Sequence, residues 1–417
     1  MTWSSGFHKK SPLERRRALI TGKNLSKSSQ DSLDKDAPLS LELANHFAEQ
    51  VIATYQLPYA ILPEITINHT AISLPMVTEE PSVVAAASYA GKFIGRCGGI
   101  TTHQEKRGMI GQVALYDIPN VPQAITLISQ SHQKLLELAN AAYPSIVSRG
   151  GGAKFIHLEE KEDFLIVYLH VDTQEAMGAN MLNTMLEAIA PHLEELSHGT
   201  SLMAILSNLA TDSLVSATCH IPISRLAATP EDANRVAKRF EKASQLAQLD
   251  PYRAATHNKG IFNGIDALAI ACGQDWRAIE ASCQAYATKK GTYQGLATWH
   301  IANDVLIGEM TLPLATASVG GSIGLHPMAQ TSFDIMGHPN AKELATYMIS
   351  LGLCQNFAAL KALVTSGIQK GHMKLQAKAL ALQAGASPEK AAKVAEKLYH
   401  QSYMNLETAT EILTKEE

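Results

Sequence analysis

The chain has 417 residues, of which 46% are hydrophobic and 18% are charged, and its formal net charge is −4 at pH 7. This composition is typical of a globular protein with a sizeable core, and the length predicts two or three domains. A nucleic-acid-binding function is not expected, because such proteins need clustered Lys and Arg to neutralise phosphates.

The N-terminal region, residues 1–106, begins with polar helical segments and continues into strands. Its first residues, MTWSSGFHKKSPLERRR, lack the apolar stretch of a secretory signal, and their basic cluster predicts a solvated helix face or, alternatively, an anchor for phosphates. The alternation in EITINHTAISLPMV predicts strands. TEEPSVVAAASYAGKFI then predicts a helix with Pro81 in its first turn.

The middle of the chain alternates strands and helices in a distinctive order. Strands are predicted for MIGQVALYDI, AKFIHLEE, DFLIVYLHVD and SLMAILSNLA. One helix is predicted from NVPQ to Pro144, and a second, strongly amphipathic one for TQEAMGANMLNTMLEAIAPHLEEL. The order β-α-β-β-α-β is that of the ferredoxin-like split unit, so we expect a compact small domain over residues 107–213, inserted into a larger one.

Beyond this domain, helices predominate. A helix ending at LAQLD is followed by DPYRAATHNKGIFNG, residues 250–264, which we interpret as a polar, glycine-containing turn. Such a turn is either a solvated loop or a site that grips an oxygen-rich anion. Helical structure is predicted around Asp275, a β-hairpin for GLATWHIANDVLIGEMTLPLATA, and a long helical segment broken at Gly352. The last stretch, from Gly367, is predicted to be helical.

The five cysteines are scattered, and no CxxC pair occurs. A disulfide framework is therefore not expected, and a reducing, cytoplasmic location is the default expectation. No apolar run reaches the roughly 20 residues that span a bilayer, so no membrane partner is expected. Neither HExxH nor a paired Cys/His spacing is present, so no metal site is predicted.

Several short motifs carry possible chemistry. GGSIG, residues 320–324, matches G-x-S-x-G, in which Ser322 would be a nucleophile beside His326. Pro327 interrupts the helix that such an elbow requires, so a glycine turn is favoured. The small-residue turn in EAMGANMLNT opens a helix directly after a strand, where free N–H groups can hold a phosphate. No G-x-G-x-x-G fingerprint occurs.

Two further motifs gain meaning only in combination. TEEPS offers adjacent carboxylates at the start of a helix, and KGHMKLQAK places His372 where a mobile flap would carry it. With ILSNLA, EAMGAN, DPYRAATHNKGIFNG and GQDWRAIEA, they occur in the order seen in class II 3-hydroxy-3-methylglutaryl-CoA reductases. From about residue 10 to its end, the chain resembles this family.

The resemblance implies an α+β fold in three parts. A large mixed helical and β domain, residues 1–106 and 214–366, would bind substrate and CoA. The ferredoxin-like small domain, residues 107–213, would bind the cofactor. Residues 367–417 would form a mobile C-terminal helical flap. The resemblance also implies that the chain forms a homodimer with active sites at the subunit interface, and a higher homo-oligomer is the alternative.

The resemblance also implies the reaction, which is reduction of 3-hydroxy-3-methylglutaryl-CoA to mevalonate and CoA by two hydrides from NAD(P)H, in the mevalonate (isoprenoid) pathway. Lys259 matches the family's catalytic lysine, which stabilises the oxyanion, and Glu80 matches its proton donor. Asp275 matches the aspartate that tunes both, and His372 matches the flap histidine that protonates the CoA thiolate. The residues that match substrate-binding positions are Ser82, Arg253, Asn208 and Asn263. The residues that match cofactor-binding positions are Tyr143, Glu175, Met177, Gly178, Ala179 and Asn180.

The chain departs from the family pattern at three places. ENVIG near the CoA site is EQVIA here, residues 49–53, and DAMG is EAMG. Where NAD-preferring members carry an aspartate for the ribose hydroxyls, this chain has Tyr143. Without that carboxylate a 2′-phosphate is not repelled, and Arg149 or Lys154 would reach it, so NADPH is the expected cofactor and NADH the alternative.

Two other functions compete with reduction. One is a serine-type thioester hydrolase that uses Ser322, and the other is a non-catalytic CoA-binding protein.

Overall fold

The computed structural model describes residues 3–35, 38–365, 367, 369–401 and 403–415, without the side chains of residues 369–375, 388 and 389. The described residues form ten strands: β1 Tyr59–Ile67, β2 Thr70–Val77, β3 Ile100–His103, β4 Met109–Tyr116, β5 Gly152–Lys161, β6 Phe164–Asp172, β7 Thr200–Ser207, β8 Leu214–Pro222, β9 Ala297–Ala302 and β10 Val305–Pro313. Sixteen helices accompany them: α1 Pro12–Lys23, α2 Lys27–Asp34, α3 Leu41–Ala44, α4 Val83–Gly95, α5 Val121–Gln130, α6 His132–Ala142, α7 Pro144–Val147, α8 Ala179–Ser197, α9 Pro230–Leu249, α10 Pro251–Ala271, α11 Trp276–Tyr286, α12 Pro327–Met336, α13 Ala341–Val364, α14 Gln369–Gln383, α15 Pro388–Tyr399 and α16 Leu406–Thr414.

The larger sheet has six strands in the order β2-β1-β3-β8-β10-β9. The predicted strands around EITINHTAISLPMV and the predicted hairpin are present as β1–β2 and β9–β10, each antiparallel. Strands β3 and β8 were not predicted. β8 crosses the middle of the sheet and joins β3 to β10, and its residues alternate between buried and half-exposed along most of its length.

The prediction of a polar turn at residues 250–264 is wrong, because residues 251–264 lie in the helix α10. Asp250 caps that helix, its carboxylate accepting hydrogen bonds from the backbone N–H groups of Tyr252 and Arg253, and Pro251 occupies the first position. One face of α10 is buried against the core, including Ile261 and Phe262. Packing of this apolar face outweighs the weak helix preference of Gly and Asn.

Helix α13 runs without interruption, so the predicted break at Gly352 is also wrong. A Cβ at Gly352 would lie 2.9 Å from both Ile261 Cγ2 and Ile265 Cδ1 of α10, so glycine lets the two helices approach closely. α13 is long and apolar enough to cross a membrane, yet 72% of its most apolar stretch is buried inside the protein. That burial is typical of the core helix of a globular domain.

Two glycines of α10 give a matched test of this packing. A Cβ at Gly264 would lie 2.6 Å from Gln355 Cγ and 3.2 Å from the Leu351 carbonyl oxygen, whereas one at Gly260 would meet nothing within 4 Å. We expect Gly264→Ala to lower the free energy of unfolding by about 1–3 kcal/mol through overpacking. Gly260→Ala should raise it by about 0.5–1 kcal/mol, because alanine favours helix. Urea unfolding of both variants checks this, and an equal effect at the two sites would contradict it.

The second sheet has four strands in the order β5-β6-β4-β7, with every neighbouring pair antiparallel. Helices α5, α6 and α8 pack on it around a core separate from that of the larger sheet. The strand and helix order is the β-α-β-β-α-β order predicted from the sequence. The single first helix of the prediction, which ended at Pro144, is instead the two helices α5 and α6, because Ser131 leaves helical geometry between them; α7 then begins at Pro144.

The C-terminal helices α14, α15 and α16 pack on one another around a small core of their own, which includes Ala377, Val394 and Leu398. The chain thus combines helices with a six-stranded sheet and a separate four-stranded sheet, and the predicted α+β fold class is confirmed.

Candidate active site

Glu80 and Lys259 are in direct contact although 179 residues separate them in the chain. Lys259 Nζ lies 2.5 Å from Glu80 Oε2, and their side chains are 61% and 36% exposed. Glu80 lies in the turn between β2 and α4, where its backbone N–H donates to Thr78 Oγ1 at 3.2 Å. An acid and an ammonium that meet at an open surface can donate a proton and stabilise negative charge on a bound molecule.

The turn after Glu80 has unusual backbone geometry at Ser82. Ser82 precedes α4 with φ 76°, a left-handed conformation that costs a non-glycine residue about 1–3 kcal/mol, and such strain is concentrated at functional sites. Pro81 therefore precedes α4, rather than standing in its first turn as predicted. The Val83 carbonyl accepts a hydrogen bond from Gln355 Nε2 at 2.8 Å, which ties the turn to α13. The Ser82 hydroxyl makes no capping bond.

Arg253, in the first turn of α10, is half-buried and its burial lowers its pKa. Within residues 38–365 its guanidinium makes neither an ion pair nor a side-chain hydrogen bond. A desolvated, unpaired guanidinium has a strong preference for a carboxylate, which it can bind through two parallel bonds. Asn263 is half-buried one turn beyond Lys259 on the same face of α10.

Two buried polar residues preceding Lys259 anchor α10, and the sequence analysis did not identify this role. Asn258 is fully buried, where its side chain donates to the Gln294 carbonyl at 3.0 Å and accepts from the Leu296 N–H at 2.8 Å. His257 Nε2 lies 3.1 Å from the Ala297 carbonyl oxygen. Burial, with a smaller contribution from Arg253, lowers the pKa of His257 to about 4, so the imidazole is neutral at pH 7. Tertiary contacts with residues 294–297, and for His257 also with Asn356 of α13, distinguish these two residues from Lys259.

Asp275 is not beside Lys259 within one chain. It caps α11, its Oδ1 accepting from the Ala278 N–H at 3.0 Å, and it forms no ion pair in the described part of the chain. Lys259 lies about 18 Å along the α10 axis from Ala271, the last residue of that helix, at 1.5 Å per residue. Among the described residues of one chain, the acid that contacts Lys259 is therefore Glu80.

Asn208 follows β7 in an exposed loop. Two residues on, the Ala210 N–H donates to Ser282 Oγ of α11 at 3.1 Å. The loop of Asn208 is therefore bonded to α11, and Asp275 caps the start of the same helix. The candidate residues form two groups, one around Glu80 and Lys259 and the other around α11.

His372 lies on α14, but its side chain is outside the described residues.

The predicted nucleotide turn stands at the start of α8, between the two cores. Gly178 has φ 101°, and a Cβ there would lie 2.4 Å from Thr173 Cγ2, so only glycine fits. No side chain caps α8, which leaves its first N–H groups free for a phosphate. Ala179 and Asn180 open the helix, and Met177 packs against both cores.

Protein groups engage the carboxylate of Glu175, which was predicted to bind cofactor. Its Oε2 accepts from the Ala341 N–H at 2.8 Å, at the start of α13, and from the Ser318 hydroxyl. Arg107, which the sequence analysis missed, holds the same turn: it donates to the Ala176 carbonyl at 3.0 Å and to that of Thr316. Burial lowers the pKa of Arg107 to about 10, which leaves it charged at pH 7.

Tyr143 lies between α6 and α7 and packs partly against the core of the small sheet. Arg149 is exposed in the turn after α7, and Lys154 Nζ donates to the Gly150 and Gly151 carbonyls at 3.2 and 3.1 Å. The cationic side chains of Arg149 and Lys154 therefore both lie within a few residues of the start of β5, and Tyr143 precedes them closely in the sequence.

The G-x-S-x-G segment forms a turn rather than a nucleophile elbow. Ser322 lies between β10 and α12, and no strand leads directly into it. His326 caps α12, its Nδ1 accepting from the Met328 N–H at 3.2 Å, and its ring stacks on Phe47. The imidazole is thus committed to the protein and does not orient the Ser322 hydroxyl.

Comparison with known proteins gives consistent matches. A family model described as hydroxymethylglutaryl-coenzyme A reductase matches residues 12–377. The chain is 38% identical to the 3-hydroxy-3-methylglutaryl-coenzyme A reductase of Archaeoglobus fulgidus, over 98% of this chain and 94% of the relative. It is 31% identical to the probable enzyme of that name from Borreliella burgdorferi, over 90% and 86%.

Two solved structures from Streptococcus pneumoniae are also similar. Its 3-hydroxy-3-methylglutaryl-coenzyme A reductase aligns with a TM-score of 0.86 at 55% identity, covering 99% of this chain and 100% of that one. The class II enzyme bound to NADPH in open conformations aligns with a TM-score of 0.85 at 56% identity, covering 87% and 100%.

Proposed function

The chain belongs to the hydroxymethylglutaryl-coenzyme A reductase family and is an NAD(P)H-dependent oxidoreductase, and from this premise we propose how its residues carry out the reaction. The substrate is 3-hydroxy-3-methylglutaryl-CoA, and the products are mevalonate and CoA. The contact between Lys259 and Glu80 carries the proposal, because it unites the ammonium and the acid that this reduction needs.

Lys259 stabilises the negative charge that develops on the thioester oxygen at the first reduction. A compact ammonium suits a single oxyanion, and removal of water by the bound substrate strengthens the interaction. When bound, NADPH supplies one hydride for each of the two reduction steps.

Proton transfers complete the reaction. The first reduction yields a hemithioacetal, whose C–S bond breaks to give an aldehyde and CoA thiolate. His372 protonates the thiolate, and Glu80 protonates the oxygen of the aldehyde as the second hydride reaches its carbon. Arg253 pairs with the free carboxylate of the substrate, while Ser82, Asn208 and Asn263 hold its oxygens.

We also propose a homodimer in which Asp275 of one subunit reaches Lys259 of the other. This is supported by the position of Asp275 at the start of α11, away from the amine of its own chain. The active site would then be complete only at the subunit interface. We propose that this site draws on three parts of the chain: the large domain of residues 1–106 and 214–366, the small domain of residues 107–213, and the flap of residues 367–417. We also propose a cytoplasmic location.

A stoichiometric assay tests the proposed reaction. Incubation with 3-hydroxy-3-methylglutaryl-CoA and NADPH should consume two NADPH for each free CoA released. Release of CoA without NADPH would instead indicate the hydrolase, and Ser322→Ala would then abolish it. Binding of the thioester without any turnover would indicate a non-catalytic CoA-binding protein.

Cofactor preference is a separate prediction. We propose that the start of α8 holds the pyrophosphate and that Arg149 and Lys154 pair with the 2′-phosphate of NADPH. Replacing both by alanine should lower kcat/KM for NADPH about tenfold or more and leave that for NADH little changed. Lys161→Ala, at the far end of β5, is the matched control. Higher kcat/KM with NADH in the unaltered protein would overturn the proposal.

A further inference from the structure

Helices α10 and α11, which carry Lys259 and the capping Asp275, meet through two acidic side chains. Asp266 of α10 and Glu280 of α11 lie within hydrogen-bonding reach of each other. The Asp266 Oδ1 atom is buried and has no hydrogen-bond partner among the described residues. Two carboxylates can only accept hydrogen bonds, so a contact between them requires a proton on one of them.

The surroundings of this pair offer no compensating positive charge. From α11, Glu280 and Cys283 face Asp266, and from β10 the Pro313 carbonyl accepts a weak bond from Cys283 Sγ at 3.7 Å. Burial and the two acids raise the pKa of the Cys283 thiol, which stays neutral. Across the described ranges, neither carboxyl forms an ion pair with a Lys, Arg or His side chain. Loss of the proton would therefore leave two negative charges close together at a site with little access to water.

The position of α11 decides where one of the two groups of candidate active-site residues lies. Asp275 is its capping residue, and Ser282 holds the loop that carries Asn208. Glu280 lies on the helix between these two attachments. Separation of α11 from α10 would move Asp275 and Asn208 relative to the rest of their own subunit, and so relative to the active site at the proposed subunit interface.

We propose that Asp266 and Glu280 share one proton, and that this pair is a positioning element that holds α11, with Asp275 and Asn208, in register with α10. The inference rests on the proposed function, since it assigns the pair a role in that site. Neither residue touches the substrate. The shared proton makes the alignment of the active site sensitive to alkaline pH.

The direction of this sensitivity follows from the burial of Asp266. Burial first, and then the charge and hydrogen bond of Glu280, raise the pKa of Asp266 from 3.8 to about 8. Because the folded protein holds this proton more tightly than the unfolded chain, the stabilising contribution is fully present below pH 3.8 and is lost as pH rises through about 8. In the folded protein the proton leaves near pH 8, so the contact between Asp266 and Glu280 that holds α11 weakens there.

Asp266→Asn tests the proposal, because asparagine is isosteric, neutral at every pH and able to donate a hydrogen bond to Glu280. Loss of one proton near pH 8 should lower kcat of the unaltered enzyme about tenfold between pH 7 and pH 9. In Asp266→Asn that ratio should fall to about twofold or less. Asp304→Asn, in an exposed turn, makes the same substitution away from the pair and should keep the tenfold decline. An unchanged decline in Asp266→Asn would overturn the inference.

Fluorescence provides a test that does not depend on reductase activity. Trp276, the first residue of α11, is 40% exposed and should report movement of the helix. We expect a fluorescence transition near pH 8 in the unaltered protein, its loss in Asp266→Asn and in Trp276→Phe, and its retention in Asp304→Asn. Should Asp266→Asn fold poorly, Glu280→Gln serves in its place. A protein that lacks reductase activity but still shows the transition would contradict the proposed function alone. Absence of the transition from the unaltered protein would contradict the inference that Asp266 and Glu280 share a proton.

Discussion

Replacing Lys259 by alanine is expected to lower kcat for thioester reduction by about 10³-fold, with little change in KM for the CoA substrate. The ammonium acts where negative charge develops in the transition state, so its loss affects the chemical step more than substrate binding. Lys259→Arg should restore little of the activity, because a planar guanidinium has a different shape and reach. Single-turnover measurements with saturating NADPH provide the check.

Stability measurements separate this effect from a folding defect. The ion pair with Glu80 is largely exposed, so its loss should cost only about 0–1 kcal/mol of unfolding free energy. Lys238→Ala, an exposed lysine on α9, is the matched control and should keep full activity. Activity of Lys259→Ala within tenfold of the unaltered enzyme would remove the basis of the proposed mechanism.

Mixing two inactive variants is expected to recover activity if the site spans two subunits. Lys259→Ala and Asp275→Asn should each be nearly inactive as homodimers. In a heterodimer of the two, one site combines both altered residues and the other combines both native ones. After random reassociation at equal concentrations, half of the dimers are mixed and one site in each is intact, so about one quarter of the native activity should return.

The alternative arrangement gives the opposite result. If Asp275 acted on Lys259 of its own chain, every site in the mixture would carry one altered residue and no activity would return. Lys259→Ala mixed with Glu80→Gln is the matched control, because Glu80 and Lys259 meet within one chain. That mixture should remain inactive under the same conditions.

Prediction from the sequence succeeded where local pattern and tertiary environment agree. The run of apolar and aromatic residues in β6 is typical of a strand, and α8 has one continuous apolar face, so their types and order were predicted correctly. β8 was missed although its residues alternate in burial, and β3 has only four residues, too few for a clear pattern. Ser131 divides a helix whose apolar spacing looks continuous.

The motifs of the sequence identified the family it resembles, and through that resemblance they predict Lys259, Glu80, Asp275 and His372 as the residues of the chemistry and α+β as the fold class. Tertiary structure decided that residues 251–264 form a helix, because contacts with α13 add to the local signals of Asp250 and Pro251 and outweigh the preferences of Gly and Asn. It also decided which acid meets Lys259. A contact between residues 179 positions apart depends on the packing of α4, α10 and α13 together, and no local sequence pattern encodes that distance.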